Sequence, residues 1–85
     1  MTGTRGLYEV RKFRVKGDNG QPATAGVRVG APKEPSAARN DLTWIARHHH
    51  TLGDTILSRL SPTELRIKLR SGGRVLYRVQ GPLPR

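Results

Sequence analysis

The chain has 85 residues, with 16 Lys and Arg against 6 Asp and Glu, a formal charge of +10 and a pI near 11.6. That length holds one small hydrophobic core. With no cysteine, disulfides, thiolate nucleophiles and cysteine-based zinc sites are excluded, and no apolar run approaches the roughly 18 residues that span a bilayer.

A charge so one-sided repels itself and is most simply matched by a polyanion, nucleic acid being the commonest. Arginine outnumbers lysine, and guanidinium forks match phosphate oxygens and guanine edges; a GC-rich genome offers a second source of the same bias. Met1-Thr2-Gly3-Thr4-Arg5 has no signal-peptide apolar region, so a cytoplasmic location is expected, or the virion for a phage protein.

Taken in order, residues 1–6 are small and polar and are expected to be disordered. Leu7 to Lys16 has strand composition, but its alternation slips, with Tyr8 and Val10 pointing one way and Phe13 and Val15 the other. A β-bulge at Arg11-Lys12 repairs the phase; the alternative is a strand buried on both faces. Gly17 to Pro22 is a dense turn signal in which Asn19-Gly20 suits a type I′ turn and Pro22 forbids a central ladder position. Ala23 to Gly30 reads as a second strand with Ala25, Val27 and Val29 on one face, and Ala31 to Pro35 reads as a linker.

Ser36 or Asn40-Asp41 can cap a helix that runs through Arg47 to His50, with Leu42, Ile45, Ala46 and His49 on one stripe and Gly53 as the stop. Trp44 lies off the centre of that stripe, which places it either at the rim of the core or as an exposed contact, the core being favoured. His48-His49-His50 invites a metal reading, yet helical neighbours diverge by about 100°, so three in a row cannot converge on one ion. No metal or cofactor is expected.

Asp54 to Leu60 fits a short strand or a second helix. Ser61-Pro62-Thr63-Glu64 carries a capping-box pattern, which argues for a helix, where the alternation of Leu65, Ile67 and Leu69 with Arg66, Lys68 and Arg70 argues for a strand. The alternation runs longer and decides. Ser71-Gly72-Gly73 then supplies a turn, and Arg74 to Gln80 returns with Val75, Tyr77 and Val79 inward and Arg74, Leu76 and Arg78 outward. Residues 81–85 form an extended tail.

The expected architecture is α+β, a single small domain over residues 7–80 ordered β-β-α-β-β and closed by a basic hairpin. The expected site is nucleic-acid-binding: Arg66, Lys68, Arg70, Arg74 and Arg78, joined by Arg11, Lys12 and Arg14, neutralise phosphates. DNA is favoured over RNA because few aromatic residues are available for base stacking. A DNA-binding regulator is the leading reading, with an RNA-binding or ribosome-associated protein and a phage structural or assembly component as alternatives. A solvated basic face that serves solubility alone is the simplest competitor. No Ser/His/Asp arrangement, phosphate-binding loop or metal motif is recognisable, so no enzymatic activity is expected.

Phe13 to Gly20, Val27-Arg28-Val29 with Pro32-Lys33-Glu34, Leu52 to Ile56, and Gly73 to Leu76 together resemble the strands and turns of the AbrB/MazE swapped-hairpin family. That resemblance implies a homodimer with interleaved hairpins that presents basic side chains to the DNA major groove. Residues 31–51 are longer than the family's pattern, and the strand from Ser61 to Arg70 has no counterpart in it.

Overall fold

A computed structural model of the chain describes residues 6–16, 21–22, 26–61 and 63–83. Its elements are β1 (Tyr8–Lys16), β2 (Gln21–Pro22), β3 (Val27–Lys33), α1 (Pro35–Thr51), β4 (Thr55–Ser61), β5 (Glu64–Lys68) and β6 (Arg74–Gln80). The strands form one antiparallel sheet in the order β2-β1-β6-β5-β4, with β3 continuing the β2 edge beside β1. The class is therefore α+β, with β4 as a strand, not a second helix, and with the first arm's partner divided into β2 and β3.

Both termini of the fold meet in the middle of this sheet. β1 pairs with β6 without interruption from Glu9↔Gln80 to Val15↔Arg74, so no bulge exists at Arg11-Lys12; the one irregularity of β1 falls between Tyr8 and Val10 against β3. The slipped alternation has a simpler cause. A central strand buries residues on both of its faces, Val10 on one and Phe13 on the other.

The hairpin closes at Ser71-Gly72-Gly73, where Leu69 donates to the Gly73 carbonyl at 2.7 Å and Gly72 donates to Leu69 at 2.9 Å. Gly72 takes φ +107°, open to glycine and strained for any other residue. β3 extends through Ala31 to Lys33, a stretch read as linker because of Pro32 and Pro35. As an edge strand, β3 tolerates a proline that donates nothing to a neighbour. The turn at 17–20 and Ala25 lie outside the described residues.

α1 starts earlier than its polar residues suggest. Glu34 is the N-cap, with no side-chain cap bond, and Pro35 occupies the first turn, where its fixed φ suits a helix and its missing N–H costs nothing. The helix ends as expected: Gly53 at φ +88° donates to the His50 carbonyl, and Asp54 donates to that of His49. Ala38, Leu42 and His49 are its buried residues.

The core lies between α1 and one face of the sheet. Ala38 and Leu42 pack against Val10, Leu65, Ile67, Val75, Tyr77 and Val79, with Tyr8, Val29, Ile45, Ala46 and Leu69 around them. Trp44 is not at the rim of this core. It is 65% exposed, because a residue two positions from Leu42 is turned about 200° away from it on a helix. The tail returns to the fold, with Leu83 donating to the Leu7 carbonyl at 2.8 Å.

Candidate nucleic-acid interface

Cross-strand partners share a face, so the register maps the side of the sheet that α1 leaves uncovered. One row crosses four strands as Arg28, Arg11, Arg78 and Glu64. The next reads Phe13, Leu76 and Arg66, and the third Val15, Arg74, Lys68 and Thr55. Strands lie about 4.8 Å apart and successive rows about 6.7 Å apart. Six cations, Arg11, Arg28, Arg66, Lys68, Arg74 and Arg78, thus share a face with two carboxylates, Glu64 and Glu9.

Of the residues expected to bind nucleic acid, Arg11, Arg66, Lys68, Arg74 and Arg78 come together here. Lys12 and Arg14 do not. They pair with Tyr77 and Val75 on the face that carries the core, because neighbours of Arg11 and Phe13 in an unbroken strand must point the other way. Lys12 instead places its ammonium 6.0 Å from the centroid of the Tyr77 ring. Arg70 sits beyond the end of β5, where its backbone N–H donates to Asp54 Oδ1 at 2.7 Å.

Arg28 completes the face and was absent from the expected set. Its signal was present, since the alternation that turns Val27 and Val29 one way turns Arg28 the other. What the alternation lacked was the strand partner. Leu76 is a correction of another kind: it belongs to the outward face yet is wholly buried, between Phe13 and Arg66 in its row. Phe13 is covered in turn, with Arg78's guanidinium carbon 5.6 Å from its centroid and Gly26 lying so close that a Cβ there would collide with the ring.

The two carboxylates arrange half of the cations. Glu9 is buried, and its two oxygens accept from Arg28 Nε at 2.7 Å and Arg11 Nε at 3.2 Å. Glu64 Oε1 accepts from both Nε and Nη2 of Arg78, at 3.0 and 2.8 Å. These bonds hold the planar forks in fixed orientations. Arg11, Arg28 and Arg78 lie against Glu9 and Glu64, while Arg66, Lys68 and Arg74 lie nearer the Ser71–Gly73 turn.

The histidine run resolves into one structural residue and two exposed ones. His49 is 7% exposed, with Nδ1 2.7 Å from Asp54 Oδ2 and Nε2 2.8 Å from the Tyr77 hydroxyl. Both ring nitrogens are therefore occupied. The hydrogen bond from His49, then that from the Arg70 N–H, holds the Asp54 carboxyl below its ordinary range, while burial and the Asp54 charge push the Tyr77 hydroxyl up. This network ties the end of α1 and the start of β4 to β6 and the hairpin. Tyr77 stands 28 residues from His49, so sequence spacing does not link the two.

Among the described residues, no helix is long and apolar enough to cross a membrane. Comparison with protein-family models, with curated proteins and with solved structures yields no match.

Proposed function

We propose that this protein binds nucleic acid, duplex DNA in preference to RNA, by laying the helix-free face of its sheet along the phosphate backbone. The observation that carries the reading is the register itself. It sets Arg11 opposite both Arg28 and Arg78, and Lys68 opposite Arg74. Like charges directly across a ladder destabilise a sheet; Glu9 and Glu64 offset part of that repulsion, and a bound polyanion offsets it further while releasing its own counterions. A face that served solubility alone has no need to stack its cations in facing pairs.

The form of nucleic acid follows from what the face lacks. Its one aromatic ring, Phe13, is buried, so the described face supports phosphate contact and guanidinium forks at guanine edges better than base stacking. A regulator of transcription is the use we infer for such a surface. Replacing Arg66 and Arg74 together by Ala is expected to weaken duplex binding by more than about tenfold, in a variant whose folding is checked by circular dichroism. Unchanged binding by that folded double variant rules out this face as the footprint.

A further inference from the structure

The outer side of α1 differs from the basic sheet in carrying an exposed aromatic ring. Trp44 is 65% exposed, and the guanidinium carbon of Arg47 lies 5.3 Å from its ring centroid. Asn40 and His48, one turn away on either side, are exposed as well, and so is Arg39. The core does not use this indole, since Ala38 and Leu42 cover the sheet from the opposite side of the helix.

Charge points to the kind of ligand. Between Pro35 and Thr51 the only carboxylate is Asp41, and it is bonded to Lys33 Nζ at 2.6 Å. An aromatic platform beside an arginine, with amide and imidazole groups within reach, is the combination that stacks an unpaired base and meets a flanking phosphate. A duplex keeps its bases inside the stack and offers such a platform nothing to hold.

We propose that the outer face of α1 is a second nucleic-acid site, one that takes single strands. An unpaired base stacks on Trp44, Arg47 meets a neighbouring phosphate, and Asn40 and His48 face the base edge. Because α1 lies between this site and the sheet, the two surfaces point away from each other. One molecule then holds a duplex on the sheet and an unpaired strand on the helix. This inference goes beyond the sheet reading and does not depend on it.

Trp44 is the only tryptophan in the chain, so its emission reports this face directly. Titrating the full chain with a short oligothymidylate is expected to quench that emission about twofold, and Trp44→Ala to weaken the strand's binding by about tenfold, the loss of one stacked base. Trp44→Phe, which keeps a ring, is expected to restore most of the affinity. Duplex binding stays unchanged in both variants, whose folding is checked by circular dichroism.

Three results overturn the proposal. Emission can stay constant while a labelled strand saturates the protein, folded Trp44→Ala can bind the strand as the parent does, or emission can shift with protein concentration alone, which assigns Trp44 to self-association. A variant with Arg66, Lys68 and Arg74 all changed to Ala separates the two sites. Loss of duplex binding with retained Trp44 quenching supports both readings, whereas retained duplex binding with retained quenching defeats the sheet reading and leaves this one standing.

Discussion

The two faces of the sheet come from the same two-residue alternation, yet only one of them is built for stability. On the covered face, Val10, Leu65, Ile67, Val75, Tyr77 and Val79 meet a second layer supplied by α1. On the open face, Phe13 and Leu76 are buried under no such layer among the described residues, and they are ringed by cations that face one another across the ladder. Alternation shows that a strand has two unlike sides. Which side does chemistry depends on where the helix lands.

The largest difference between the faces is expected in stability. Leu42→Ala removes a fully buried side chain from the covered face and is expected to cost about 2–5 kcal/mol, enough to unfold much of so small a domain in a urea melt. Lys68→Ala, an exposed position on the open face, is expected to lower stability by no more than about 0.5 kcal/mol. Equal losses from the two variants erase the contrast.

A smaller effect belongs to His49, the one buried histidine of the covered side. His49→Ala leaves the Tyr77 hydroxyl without its partner in the core, and stability is expected to fall by about 1–3 kcal/mol. Tyr77→Phe removes that hydroxyl too, so adding it to His49→Ala is expected to recover part of the loss. A double variant less stable than either single one contradicts the network.

The pH dependence of stability is more modest and has two limbs. Asp54 is held below its ordinary range, mainly by the hydrogen bond from His49. Its contribution is therefore complete above the ordinary carboxylate pKa and is lost as pH falls through the lowered folded value. Tyr77 is pushed up by burial, so its contribution is complete below the ordinary tyrosine range near about pH 10 and is lost as pH rises through the folded value. Asp54→Asn is expected to flatten the acid limb and Tyr77→Phe the alkaline one, read from thermal melts across pH. Glu64→Gln, which loosens a partly exposed pair with Arg78, is expected to lower stability by about 0.2–1 kcal/mol.

Much of the covered face was legible in advance because periodicity is local. The hairpin from Glu64 to Gln80, the Gly72 turn, and the stripe of Leu42, Ile45, Ala46 and His49 followed from spacing alone. The start of α1 was obscured because Pro35 opens the helix without a polar cap, and the end of β3 because Pro32 reads as a breaker until the strand is known to be an edge.

The open face was half legible for a different reason. Five of its six cations were named from their strands, but grouping Arg11 with Lys12 and Arg14 ignored the direction each side chain takes in an unbroken strand. Arg28 needed the pairing of β3 with β1, a relation between distant segments that composition does not carry. Trp44 needed the orientation of α1, and its exposure reversed the expectation that a large aromatic residue joins the core.

The binding of duplex DNA as a function of salt tests the open face most directly. Six cations share the described face, so log K is expected to fall linearly against log salt, and the Arg66, Lys68, Arg74 triple alanine variant is expected to make that slope shallower by up to about 3. A flat dependence, or a steep slope that the triple variant leaves unchanged, contradicts nucleic-acid binding through this face.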